Sequence, residues 1–167
     1  GFNSLFDTGQ WGLEVYRESV TESLLSYTGM RDPYTSLEWG RVLETGMMLS
    51  VAYTPTEKLT LYGFMEAAQL TGENVEDNTK FRMDLALSRT FKPEDFHYIN
   101  FGPILTFYAY EENLSFFTYG HGGYFSPEYL IQGLLNLQFM TEEGRDYLFK
   151  GEIGFGGQAN KQQAAPY

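Results

Sequence analysis

The sequence predicts an all-β fold, an antiparallel up-and-down transmembrane β-barrel of which this chain supplies a part of about seven strands. Three observations predict it. Seven runs of roughly ten residues or more alternate apolar with polar side chains, the period of a two-faced strand. The polar faces of those runs carry charge, which a dry core would not accept unpaired and a water-filled lumen would. The connections between runs alternate in length, as they do when one rim carries short turns and the other long loops.

Composition agrees. Of 167 residues, 13 are Tyr, 14 Phe and 18 Gly, and aromatics reach 17%, yet mean hydropathy is only −0.33. Only every second residue of a barrel strand meets lipid, so such a chain is aromatic without being greasy. No run approaches the ~18 consecutive apolar residues of a membrane-spanning helix. The absence of cysteine excludes disulfides and thiolate metal sites. A net charge of −11 leaves no basic stripe for phosphates, so nucleic acid is excluded as a partner. Gly1–Gln10 has neither the basic nor the apolar region of a signal peptide, so a leader was removed or the chain is part of something longer. The length is that of one domain, and residues 1–167 are read as a single portion of an outer-membrane barrel.

The strands follow in order. Over 10–19, Trp11, Leu13 and Val15 oppose Gly12, Glu14 and Tyr16. A long connection, 20–40, holds LLSYTGMRDP and Trp39. Over 41–54, Leu43, Met47, Leu49, Val51 and Tyr53 oppose Glu44, Gly46, Met48, Ser50 and Ala52. Pro55–Lys58 then make a tight turn. The third strand, 58–71, has less distinct faces, and GENVEDN at 72–78 is expected to be an acidic loop. The clearest strand, 79–91, sets Phe81, Met83, Leu85 and Leu87 against Lys80, Arg82, Asp84, Ala86 and Ser88. Over 98–111, Ile99, Phe101, Leu105 and Phe107 oppose Asn100, Gly102, Thr106 and Tyr108, with a bulge or distortion expected at Pro103. The sixth strand, 128–140, opposes Tyr129, Ile131, Leu135, Leu137 and Phe139 to Gln132, Asn136 and Gln138. The seventh, 146–158, opposes Tyr147, Phe149, Ile153 and Phe155 to Lys150, Glu152 and Gly154. Seven is odd, and an odd up-and-down set does not close with both ends on one rim. Since open edges in lipid leave backbone groups unsatisfied, the chain is expected to belong to a larger barrel.

Between the fifth and sixth strands lies NLSFFTYGHGGYFSP, 113–127. Its glycines around His121 permit tight turns, and its aromatics require it to fold back onto something. With LLSYTGMRDP (24–33), WGRV (39–42), LTGENVEDNT (70–79) and a terminal APY, this segment resembles the C-terminal outer-membrane domain of the bacterial cellulose synthase operon protein C family. The resemblance runs in order from Trp11 to Tyr167; Glu111–Glu112 and the NKQQAAPY ending are its more polar departures. It implies a periplasmic tetratricopeptide superhelix followed by a barrel of about sixteen strands. The implied role is export of a nascent β-glucan, with cellulose the first candidate, through the bacterial outer membrane. The implied partners are that glucan, outer-membrane lipid, and periplasmic and inner-membrane cellulose synthase components.

Candidate site residues divide into two groups. Trp39, Tyr119, Tyr124 and Phe125 in loops, with Tyr108 and Tyr110 on the lumen face, could stack on sugar rings or pack the loop as a gate. His121 belongs with this glycan-contact or loop-gate group and is expected first to hydrogen-bond its own loop, with contact to the exported sugar as the alternative; no second candidate ligand stands at metal spacing. The second group is the polar lining: Glu44, Arg82, Asp84, Asn100, Gln132, Asn136, Lys150 and Glu152. Its amides suit the hydroxyls of a neutral glycan. Glu44, Glu66, Asp84 and Glu152 could pair for glycoside hydrolysis, but a solvated wall is the simpler reading. No P-loop, GxSxG or dinucleotide motif is present, and no catalytic residue, metal or cofactor is expected. Alternative readings are a general porin, an exporter of another exopolysaccharide, or a soluble β-sandwich carbohydrate-binding module.

Overall fold

The computed structural model describes residues 1–142 and 147–162. Strands dominate it: β1 (Phe2–Phe6), β2 (Gly9–Ser19), β3 (Met30–Arg31), β4 (Glu38–Thr56), β5 (Leu59–Glu73), β6 (Val75–Phe91), β7 (Phe96–Tyr110), β8 (Tyr129–Thr141) and β9 (Lys150–Lys161). The one helix among the described residues is α1 (Leu24–Thr28), started by a capping box in which Ser23 and Ser26 each bond the other's backbone. The strands form one antiparallel sheet in the order β1-β2-β4-β5-β6-β7-β8-β9, with the short β3 beside β4. Each strand therefore pairs with its chain neighbour, and the sheet is open, because β1 and β9 do not meet. No second sheet lies across it among the described residues, so a two-layer sandwich is not what forms.

Register shows the two faces. Met48, Glu66, Arg82 and Tyr108 lie in one cross-strand row, and Leu49, Met65, Met83 and Phe107 in the next, pointing the other way. From β2 to β9 the even-numbered residues share the polar face and the odd-numbered the apolar one, as a side-chain period of two requires. The apolar face lies open: Val15, Met47, Leu85, Leu105, Ile131 and Phe155 are all exposed. Along β6 it extends from Phe81 to Phe91, about 33 Å of strand, or about 25 Å of height at a barrel tilt. Aromatics mark its short-turn rim, where Phe6 stacks on Tyr53 at 6.4 Å and Phe96 meets Phe139 edge-on at 6.2 Å.

The structure corrects the sequence reading at four places. First, β1 is an additional strand, hairpinned onto β2 through Asp7 and Thr8; its short FNSLF run is too brief for alternation to stand out. The sheet thus has eight long-path strands, and its openness comes from unpaired edges and not from odd parity. Second, the acidic loop at 72–78 does not form. β5 and β6 continue to Glu73 and Val75 and turn on Asn74, at φ 51°, a left-handed conformation that Asn tolerates. The long-loop rim therefore carries two long loops, 20–37 and 111–128, with a tight hairpin between them. Third, of the bulge or distortion expected at Pro103, the structure has the distortion and not the bulge. Pairing with β6 lapses at Gly102–Pro103 but resumes in the same register, Ala86 opposite Ile104 and Arg89 opposite Phe101. Fourth, the last strand is Lys150–Lys161, four residues later than expected at its start, with Glu152 opposite Gln138. Its expected first residue, Asp146, lies outside the described residues.

The cluster of buried apolar side chains among the described residues, Val20, Val42, Leu70, Leu114 and Tyr124, sits at the long-loop rim. Leu70 and Asn78, both on the polar-parity face, are 1% exposed there. Loop 111–128 has folded inward over the end of that face.

Candidate functional site

The site is the inner face of the sheet, from the docked loop at one rim to an amide-lined recess toward the other. The loop is held by hydrogen bonds within itself and to the sheet. Gly123 N–H donates to Leu114 O (2.9 Å), His121 N–H to Thr118 O (3.0 Å), and Glu76 N–H of the β5–β6 hairpin to Gly120 O (2.9 Å). Ser126 Oγ accepts from Leu114 N–H at 2.7 Å, while Ser115 Oγ accepts from Ser126 N–H at 3.0 Å. Asn78 pins the loop from the sheet, its Nδ2 donating to Glu112 O (2.8 Å) and Tyr124 Oη (3.0 Å) and its Oδ1 accepting from Glu112 N–H (2.9 Å). Glu22 reaches across from the other long loop to accept from Phe125 N–H at 2.6 Å. Gly123, at φ 66°, is pressed so close to Leu25 that an added Cβ would lie 2.9 Å from its Cδ2. That left-handed, closely packed turn favours glycine.

These contacts decide what the loop aromatics offer. Trp39, expected in the long connection, lies instead at the start of β4, and it and Tyr124 are 7% and 1% exposed, so their rings present no open face. Tyr124 lies 6.2 Å from Tyr110, and burial pushes its phenol well above the ordinary tyrosine range, with the Glu22 and Glu44 charges adding to the rise and the Asn78 bond opposing it. Tyr119, 5.9 Å from Trp39, and Phe125 remain exposed. The His121 ring packs edge-on against Phe116 at 5.7 Å, and its buried Nδ1 meets no hydrogen-bond partner among the described residues. Its loop hydrogen bond is made by its backbone instead.

Directly beneath the loop, four strands contribute to a charged cluster. Tyr16 Oη donates toward Glu44 Oε1 (2.5 Å) and also meets Glu66 Oε1. Lys80 Nζ bridges Glu44 at 2.8 Å and Glu66 at 3.1 Å. Glu44 and Glu66 are 8% and 7% exposed, so these acids are paired and buried where a solvated wall was expected. Two carboxylates out of water need that cation. In the adjacent rows Arg82 pairs with Asp84 at 2.7 Å, its guanidinium flanked by the rings of Phe64 (5.4 Å) and Tyr108 (5.1 Å). Asp84 Oδ1 has no hydrogen-bond partner among the described residues.

Further from the loop the lining turns neutral. Tyr62, Ser88, Asn100, Ile104, Asn136 and Gln138 line a recess of about 350 Å³. Asn100 accepts from Thr90 Oγ1 at 2.8 Å, and Glu152 accepts from Asn136 (2.9 Å) and Gln138 (3.1 Å). Gln132 reaches Gln158 at 3.4 Å, and Lys150 is exposed at the foot of β9. Fixed amides beside an open tyrosine ring suit a neutral, hydroxyl-rich ligand. Tyr62, Ser88 and Lys80 were not singled out from sequence; their inward parity was legible, but their neighbours depend on register.

One up-and-down antiparallel sheet, apolar and open on one side, polar on the other, with a loop folded inward over its end, is a segment of a β-barrel. The particular family follows from comparison with known proteins. The profile of the family described as cellulose synthase operon protein C C-terminus matches residues 2–167. The chain belongs to that family. Relatives named cellulose synthase operon protein C include one from Xanthomonas axonopodis pv. citri (strain 306), 36% identical over 164 residues, covering 98% of this chain and 11% of the relative. Another, from Komagataeibacter xylinus, is 33% identical over 140 residues, 83% of this chain and 11% of the relative. A third, from Escherichia coli (strain K12), is 33% identical over 129 residues, 74% of this chain and 11% of the relative. The chain thus spans about a tenth of the length of these relatives.

Proposed function

We propose that this chain forms part of the wall of an outer-membrane barrel through which a β-glucan, cellulose by the first expectation, leaves the bacterium. The observation that carries this reading is the segregation of faces: an exposed apolar band with a rim of aromatics outside, and an inner face of paired charges and neutral amides. The relatives' name ties the reading to cellulose synthesis. Flanking strands of the longer protein would cover the edges of β1 and β9, which lipid would otherwise leave unsatisfied. The wall does no chemistry of its own; synthase components in the inner membrane and periplasm supply the chain and the driving force. Tyr62, Asn100, Asn136 and Gln138 offer hydroxyl contacts to the passing glucan, and the docked loop narrows the exit.

The test is current block in planar bilayers by the full-length protein, comparing cello-oligosaccharides with malto-oligosaccharides. Cello-oligosaccharides should block longer. N136A/Q138A should shorten their residence by roughly two- to tenfold for each neutral hydrogen bond lost. Equal residence of both sugars in wild type and variant would overturn the glucan assignment. Extraction of the protein without detergent would overturn the membrane reading itself.

A further inference from the structure

The outer face carries a feature that sugar transport does not use. On the apolar side, Val51, Leu61, Gly63, Leu85, Pro103 and Leu105 line a groove of about 390 Å³. Two local features make it. Gly63 has no side chain, and the β6–β7 ladder lapses at Gly102–Pro103. The groove runs toward the short-turn rim, because Leu61 pairs with Leu87 and the next row on the same face is Leu59 with Arg89. At that row a second hollow, about 560 Å³, is lined by Thr56, Glu57, Lys58, Leu59 and Arg89.

Two cations line that hollow. In a chain of net charge −11, Arg41, Lys80, Arg82 and Lys161 are engaged by carboxylates, while Arg17, Arg31, Lys92 and Lys150 lie away from this groove with no ion pair among the described residues. Lys58 and Arg89 pair with no carboxylate among the described residues, Glu57 included. The Arg89 guanidinium instead lies 5.3 Å over the Phe91 ring, an exposed aromatic at the rim. An apolar trough ending at two unpaired cations is complementary to an amphiphile with an acyl chain and an anionic head.

We propose that this groove binds an anionic phospholipid, its acyl chain over Gly63 and Pro103 and its phosphate between Lys58 and Arg89. The inference rests on the membrane reading above. It places the headgroup in the leaflet of the short turns, where the bound lipid fills the trough that lateral packing of bulk lipid would leave.

The test uses the full-length protein in nanodiscs containing phosphatidylcholine and a trace of phosphatidylglycerol with a diazirine-bearing acyl chain. Label should fall on peptides holding 61–63, 85–87 and 103–105 and be competed by unlabelled phosphatidylglycerol but not by phosphatidylcholine. K58Q/R89Q should weaken competition by roughly fivefold per charge removed. G63F fills the trough, and nothing nearer than 3.8 Å meets its Cβ, so it should fold and lose the label. Uniform labelling of the apolar band, or competition unchanged in K58Q/R89Q, overturns the site while leaving the membrane reading intact. Crosslinks from the groove to a second polypeptide overturn it in favour of a protein contact. Failure to enter nanodiscs at all would instead overturn the membrane reading.

Discussion

Truncating Tyr124 to alanine tests whether the loop is docked as a folded unit on the sheet. The ring is 1% exposed, in a cluster with Val20, Val42, Leu70 and Leu114. Removing a buried aromatic to alanine costs about 3–5 kcal/mol. The change also deletes one acceptor of Asn78 Nδ2, which keeps Glu112 O at 2.8 Å, adding about 1 kcal/mol. The long ladders of β4 to β8 do not involve this ring, so the loss falls on docking and leaves sheet formation alone. At about 1.4 kcal/mol per tenfold, loop opening should rise about a thousand- to ten-thousandfold. Y124F keeps the ring and loses only the hydrogen bond, a change of about fivefold. Hydrogen exchange on the full-length protein in nanodiscs reads this at Gly123 N–H, bonded to Leu114 O, and at Glu76 N–H, bonded to Gly120 O. If Y124A leaves both amides within about threefold of wild type, or the β5–β6 ladder deprotects equally, the account of the loop as an independently docked unit is wrong.

Three further outcomes are expected. L85R, a charge placed mid-band where Leu85 is 47% exposed, should cost about 2–4 kcal/mol of barrel stability, whereas A86S on the opposite face of the same strand should cost little; heat-modified gel mobility measures both. K80M strips the shared cation from Glu44 and Glu66 and should destabilise the wall by about 3–5 kcal/mol, with E44Q/E66Q in the same background recovering part of it. The docked loop should also loosen at alkaline pH. Burial raises the Tyr124 phenol above its ordinary value of 10.0, so its contribution is complete below that pH and is lost as pH rises through the raised value. Gly123 exchange, corrected for its intrinsic rise with pH, should show this loss in wild type and not in Y124F.

The architecture was legible in the chain because β alternation is a local property. Phe81, Met83, Leu85 and Leu87 against Lys80, Arg82, Asp84 and Ala86 need no partner strand to declare two faces, and all seven expected runs became strands of one sheet. Strand ends were less legible. GENVEDN looks like a loop by composition, yet a single left-handed Asn74 turns the chain, because pairing Leu70 with Asn78 and Gly72 with Val75 satisfies backbone that a loop would leave to water. The loop's own fate was half legible: its aromatics required a surface to fold onto, but which of them would vanish into it was not written locally. Tyr124 is buried while Tyr119 and Phe125 are open, a distinction made by Val42, Leu70 and Asn78 far away in sequence. The charged cluster shows the division most clearly. Sequence placed Tyr16, Glu44, Glu66 and Lys80 on one face of four separate strands; only register brought them within hydrogen-bonding distance of one another. Periodicity sets the side toward which a residue points, and the alignment of neighbouring strands sets what it meets there.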